Sequence, residues 1–83
     1  MVDAIEALVR SLPARADQIR RLFWRDPEFR TVCEDHRDAL AVLARLERTA
    51  PADPRQVEEY RALAAELLAE AAALLTKRGG RRT

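Results

Sequence analysis

Cys33 and His36 have the most specific chemistry of any residues in this chain, and they lie three positions apart. On a helix this spacing places both side chains on one face, where a thiolate and an imidazole could bind a soft metal such as zinc. Tetrahedral zinc needs four ligands, and the chain has no other Cys or His. We therefore interpret Cys33 as a small buried hydrophobic residue and His36 as a residue of a helix–helix seam, hydrogen-bonded to Glu70. A metal-bridged dimer, in which a second copy completes the ligand set through Cys33 and His36, is the alternative.

The other reactive side chains do not form a catalytic set. Ser11 stands alone beside Pro13, and one His facing a helix seam cannot serve Cys33 as an oriented base. Acid pairs such as Glu34-Asp35 are interspersed with Arg, which is typical of a solvated helix face. Gly79-Gly80 follows a predicted helix instead of opening one, so it does not indicate a phosphate loop. We predict a non-enzyme without a cofactor.

The C-terminal sequence TKRGGRRT is the clearest concentration of charge. It carries four cations and no acid, and these are the candidate anion contacts: Lys77, Arg78, Arg81 and Arg82. Such a tail could bind phosphates, but cations at a helix C-terminus also complement the helix dipole. We do not expect nucleic acid to be the partner, and a nucleic-acid accessory protein that uses this tail is kept as an alternative function.

Composition indicates one small, all-α, cytoplasmic domain. The 83 residues are rich in Ala and Leu, with 5% aromatic residues and a formal net charge of +1, so no overall field steers the chain to nucleic acid or membranes. A single Cys suggests a reducing compartment. No apolar run approaches the roughly 18 residues of a membrane span, and the N-terminus MVDAIEALVR is unlike a signal peptide. Because so short a chain supports only a small core, we expect a homo-oligomer.

Two Asp-Pro pairs predict where two long helices begin. In Asp26-Pro27-Glu28 the Asp can cap a helix, Pro suits its first position and Glu complements its dipole. Asp53-Pro54 repeats this signal. Helices are therefore predicted over about 27–48 and 54–78, and the short connection between them indicates an antiparallel hairpin.

The apolar residues of both predicted helices recur at spacings of three and four, as in an antiparallel coiled coil. Each helix also carries a second apolar flank that the partner helix cannot cover. In the last helix this flank includes Leu63, Leu68 and Leu75.

The N-terminal segment, about residues 3–25, is one candidate to cover that flank. Its apolar residues keep a single helical phase across Pro13, with a spacing of four from Leu12 to Ala16. We therefore favour one Pro-kinked helix over two helices and a loop. The segment would pack on its own hairpin as a three-helix bundle, or on another subunit in an oligomeric helical bundle.

The stretch LFWRDPEFRTVC marks the corner between the first two predicted helices. Phe23 ends one apolar stripe and Phe29 begins the next, so the two rings can close one end of the bundle. Trp24 falls outside the stripe. We favour a partial lid over this corner for Trp24, with an exposed partner contact as the alternative.

Residues 20–75 resemble the YdcH-like family of short bacterial helical-hairpin proteins, a domain of unknown function. The matching residues are Leu22, Asp26, Phe29, His36, Leu43 and Glu47. Two features depart from the family pattern: Ala39-Leu40 stands where it has Leu-Asp, and the second helix lacks the Lys-rich composition. The resemblance implies a hairpin fold and self-association, and it implies no established activity.

The sequence thus predicts a single helical domain over 1–78 and a flexible basic tail over 79–83. Its predicted function is self-association and binding of a protein partner. The predicted contact residues are Phe23, Trp24, Phe29, Leu68 and Leu75.

Overall fold

The computed structural model describes residues 3–49 and 51–79, and these are helical almost throughout, which confirms the all-α class. Helix α1 spans Ala4–Ser11, a 3-10 turn spans Pro13–Arg15, and helix α2 spans Ala16–Arg25. The two long helices are α3, Pro27–Arg48, and α4, Pro54–Leu74. A π-helical turn over Leu75–Gly79 continues α4, so the helical backbone ends close to the predicted position.

Both Asp-Pro helix starts are confirmed. One carboxylate oxygen of Asp26 accepts hydrogen bonds from the backbone N–H groups of Glu28 and Phe29, at 3.0 and 3.1 Å. Asp53 caps α4 in the same way, accepting from Arg55 N–H at 3.0 Å. Each cap satisfies donors that the first turn of a helix leaves unpaired, which fixes where the long helices begin.

The predicted single kinked helix across Pro13 is wrong, because the chain forms two helices there. Leu12 leaves the helical region, with φ −131° and ψ 62°, and the 3-10 turn follows. A residue before proline is pushed out of the α conformation by the proline ring, and proline has no N–H to continue the α1 ladder. The helical phase is kept because the short 3-10 turn brings α2 back onto the same side.

The N-terminal pair of helices packs on the hairpin of its own chain. Helix α1 contacts α3, and α2 contacts both α3 and the π-helical turn. One core joins all these elements, and its buried members are Ala4, Ile5, Leu8, Ile19, Leu22, Phe23, Phe29, Val32, Cys33, Ala71, Leu74 and Leu75. The intramolecular alternative for the N-terminal segment is therefore the one that the structure adopts.

Only half of the hairpin is covered. Every buried residue of α3 lies at or before Ala39, and every buried residue of α4 lies at or after Ala64. We call residues 27–39 with 64–79 the covered half, and residues 40–49 with 51–63 the open half. In the open half α4 packs on α3, and α1 reaches only one side of α3, around Leu40, Ala41 and Ala44. The molecule extends to 51 Å along its longest axis.

Within residues 3–49 and 51–79, no helix combines the length and the apolar character needed to cross a bilayer.

Candidate interaction surface

The aromatic corner forms as predicted, except for Trp24. Phe23 and Phe29 are 6% and 0% exposed and close the end of the core. The Trp24 ring meets the Phe23 ring edge-on, at 5.0 Å between centroids and 83° between planes, yet Trp24 remains 70% exposed. The guanidinium of Arg30 lies 5.8 Å from the centroid of Phe23. The corner is thus closed without Trp24, and the favoured lid is replaced by the alternative, an exposed aromatic surface.

Three of the five predicted contact residues are unavailable to a partner in this fold. Phe23, Phe29 and Leu75 belong to the core, and Leu68 is half-buried against it. Phe29 and Leu75 are buried because the N-terminal helices pack on this part of the hairpin, and Phe23 belongs to those helices. Of the five, Trp24 alone is largely exposed, as in the alternative prediction for this residue.

A first groove runs between α1 and α3, and we call it the α1–α3 groove. Its volume is about 490 Å³, within the usual range for binding sites. Its walls come from the end of α1 and the middle of α3: Ala7, Arg10, Ser11, Arg37, Asp38, Leu40, Ala41 and Ala44. The floor is aliphatic and the polar rim carries two guanidinium groups and one carboxylate.

A second groove of about 310 Å³ lies along the seam between the two long helices, and we call it the α3–α4 groove. It begins in the covered half and reaches into the open half, and no residue of α1 or α2 lines it. Its lining residues are Asp35, Asp38, Ala39, Val42, Tyr60, Leu63 and Leu67. Leu63 is 41% exposed, which makes it, with Trp24, one of the two large hydrophobic residues exposed in the described chain.

Cys33 and His36 are buried, at 0% and 2% exposure. Burial raises the pKa of the Cys33 thiol to about 12, and the charge of Glu34 acts in the same direction. The thiolate that a metal would require is therefore strongly disfavoured. A second subunit could reach these side chains only if the core opened, and the described residues contain no cluster of three or more potential metal ligands. The geometry argues against the metal-bridged dimer.

The predicted hydrogen bond from His36 to Glu70 does not form. Glu70 is exposed, and the Nδ1 atom of His36 is buried without a hydrogen-bond partner. Burial lowers the pKa of His36 below its ordinary value of 6.5, because the charged imidazolium is poorly solvated there. His36 is consequently a neutral side chain of the core.

We expect the stability of the fold to decrease as pH falls below about 6.5, the ordinary pKa of His. Between that pH and the lower folded-state pKa, the unfolded chain binds a proton that the folded chain excludes, so protonation favours unfolding. Urea unfolding at pH values on either side of this point measures the effect. His36→Leu should remove this part of the pH dependence without loss of stability at neutral pH, since it also removes an unsatisfied buried polar atom. An unchanged pH profile in His36→Leu would show that another group is responsible.

Arg78, predicted as an anion contact, is instead engaged within the chain. Its guanidinium donates to the carboxylates of Asp26, at 2.7 Å, and Glu28, at 3.0 Å. The hydrogen bond from Arg78 is the largest cause of a lowered Asp26 pKa, and the Phe29 N–H adds to it. Lys77 is exposed, whereas Arg81, Arg82 and most of the predicted flexible tail lie outside the described residues. Among the described residues, the charge of Arg78 is thus already compensated by two carboxylates.

Asp26 has two structural roles. It caps α3, and it pairs with Arg78 in the π-helical turn that follows α4. We expect Asp26→Ala to lower the free energy of unfolding by about 1–2 kcal/mol, mostly through loss of the cap. Asp26→Asn keeps a capping oxygen and loses only the ionic contact, so it should cost clearly less. Chemical denaturation of the two variants tests this, and equal losses would mean that the ion pair and not the cap dominates.

Comparison with protein-family models, with curated proteins and with solved structures finds no match to this chain. The resemblance of residues 20–75 to the YdcH-like family accordingly stays a prediction.

Several surface features were missed from the sequence. The α1–α3 groove depends on where α1 ends, and the helical phase across Pro13 gave no sign of that end. The carboxylates of α4 beside the α3–α4 groove could have been found, because Glu59, Glu66 and Glu70 share one helix face with Leu63 by their spacing. From the sequence, these carboxylates are interpreted only as part of a solvated helix face.

Proposed function

We propose that this chain is a non-catalytic, self-associating helical module that binds protein through the open half of its hairpin and the grooves beside it. The observation that carries the proposal is the half-covered hairpin. The N-terminal helices bury one half of α3 and α4, and they leave Val42, Leu43, Leu46 and Tyr60 only half-buried in the other.

An isolated pair of helices gains little from burial, because each shields only one side of its neighbour. A further helix laid along the open half would complete a bundle and remove the remaining apolar surface from water. Small residues favour such packing, since Ala41 and Ala44 in the α1–α3 groove allow a close approach of backbones. The near-neutral net charge of +1 places no overall repulsion between copies.

Sedimentation velocity over a wide concentration range tests the self-association. We expect the mass of the full chain to rise from monomer to a defined oligomer with increasing concentration. A variant with Ala44→Glu and Leu63→Lys, which places charges in both grooves, should shift that transition to higher concentration. Lys77→Glu, at an exposed position of the π-helical turn that lines neither groove, is the control. A mass that stays monomeric at the highest attainable concentration would refute self-association.

Deleting residues 80–83 separates this proposal from nucleic-acid binding. The deletion removes Arg81 and Arg82 and retains the described fold, so the oligomer should be unchanged. A salt-sensitive affinity for nucleic acid that disappears with the deletion would favour the tail-based function instead.

A further inference from the structure

The exposed face of α2 combines an aromatic ring with positive charge. Arg20, Arg21 and Trp24 lie on one side of the helix, because Trp24 follows the two arginines by four and three residues. All three are exposed, and neither arginine is in a salt bridge within the described residues. Trp and Arg are the residues most enriched at the energetic centres of protein interfaces. We call these three residues the Trp24 patch.

The α3–α4 groove has the opposite character. Its floor is apolar, formed by Val42, Tyr60, Leu63 and Leu67, and Asp35 and Asp38 stand at one side. Three further carboxylates of α4 do not line the groove, but their spacing places them beside Leu63 on the helix surface: Glu59, Glu66 and Glu70.

Most of this negative charge is uncompensated. Asp38 is paired with Arg37 at 3.0 Å, whereas Asp35, Glu59, Glu66 and Glu70 are in no salt bridge within the described part of the chain. An apolar floor with Asp35 and Asp38 on its wall and further carboxylates nearby on α4 fits a partner that presents an apolar ring flanked by cations.

We propose that the Trp24 patch of one copy docks in the α3–α4 groove of a second copy, with Trp24 against Leu63 and with Arg20 and Arg21 facing the carboxylates. This inference rests on the proposed self-association and assigns its contact. The occupant is a second copy because every chain carries both halves of the contact, and no α2 residue lines the groove of its own chain.

Charge also decides between the two grooves. The rim of the α1–α3 groove carries Arg10 and the Arg37–Asp38 ion pair, so its net charge is positive and would repel the arginines of the Trp24 patch. Because each copy has one patch and one acidic groove, two such contacts can form reciprocally about a two-fold axis, which doubles the buried area and closes the assembly as a dimer.

Charge reversal with mixing tests the contact. The patch-reversed chain carries Arg20→Glu and Arg21→Glu, and the groove-reversed chain carries Asp35→Lys and Asp38→Lys. In sedimentation equilibrium at low salt, each alone should lose at least about 30-fold in dimer affinity. An equimolar mixture should recover a one-to-one dimer, because each reversed patch then meets a reversed groove. Lys77→Glu, at an exposed position outside the open half, the Trp24 patch and both grooves, shifts the net charge in the same direction as the patch reversal does, and it should leave the dimer intact.

Each other outcome overturns the assignment. If the wild-type chain dimerises and both reversed chains dimerise equally well, the interface lies elsewhere, and the proposed self-association survives without this contact. If Ala44→Glu alone abolishes the dimer, the α1–α3 groove is the interface. If the wild-type chain never dimerises, both proposals fail together.

A second measurement needs no substitution, because Trp24 is the only Trp in the chain. Its fluorescence should shift to shorter wavelength and become less accessible to acrylamide over the same concentration range in which the mass doubles. Doubling of the mass without any change in Trp24 emission or quenching would place Trp24 outside the interface.

Discussion

Replacing Phe29 by Ala is expected to lower the free energy of unfolding by about 3–5 kcal/mol. Phe29 is wholly buried at the start of α3, in the core that α1, α2, α3 and the end of α4 share. Truncation to Ala leaves a cavity at the point where these helices meet, and the capped start of α3 beside it limits how far the backbone can relax. A domain of this size is stable by only about 5–15 kcal/mol, so the variant approaches unfolding.

Urea denaturation followed by circular dichroism measures this loss, with Leu63→Ala as the matched control. Leu63 is also a large hydrophobic residue, but it is 41% exposed in the open half, so its truncation should cost under about 1 kcal/mol in the monomer. Comparable losses for the two variants would contradict the division of the hairpin into a covered and an open half.

The second large effect is expected at Leu8, in the N-terminal helix. Leu8 is 0% exposed although α1 has only eight residues, and a helix this short is not stable without tertiary packing. Leu8→Ala should therefore cost about 2–5 kcal/mol, through lost burial and the cavity left behind.

Arg10→Ala, at an exposed position of α1 two residues further on, is the control for Leu8→Ala and should change stability by less than about 0.5 kcal/mol. The comparison tests whether α1 packs on its own chain at all dilutions. If Leu8→Ala is as stable as Arg10→Ala, α1 does not contribute to the core of the monomer. That result would be expected if α1 packed on another subunit and were released at high dilution.

The helix starts and the two seams could be predicted because their causes are local. Asp26 and Asp53 cap from within their own first turn, and the spacing of apolar residues reports the buried side of each long helix. The all-α class and both long helices follow from these signals alone.

Helical phase could not reveal the break at Pro13 or decide whether Trp24 covers the aromatic corner. A 3-10 turn preserves the helical phase, so the stripe across Pro13 looks the same for one kinked helix and for two helices. The helical phase does place Phe23 on the apolar stripe and Trp24 outside it, but how far the Trp24 ring covers the corner depends on how α2 docks.

The contact residues were misassigned for a related reason. Leu68 and Leu75 are predicted to contact a partner, but residues some fifty positions earlier in the same chain pack against them. The Arg78 contact with Asp26 spans 52 positions, and no local pattern encodes a pair at that separation. The α4 carboxylates beside the α3–α4 groove, in contrast, could be predicted from their spacing on the helix: Glu59, Glu66 and Glu70.

Residue-resolved amide hydrogen exchange on the dilute, monomeric chain tests the central claim most directly, which is that α1 and α2 cover one half of the hairpin in their own chain. Slow exchange is expected in α1 and in the covered half, at Val32, Cys33 and His36 and again from Ala71 to Leu74, with a clear fall in protection in the open half from Leu43 to Leu63. Rapid exchange throughout α1, or equal protection along the whole length of α3 and α4, would contradict it.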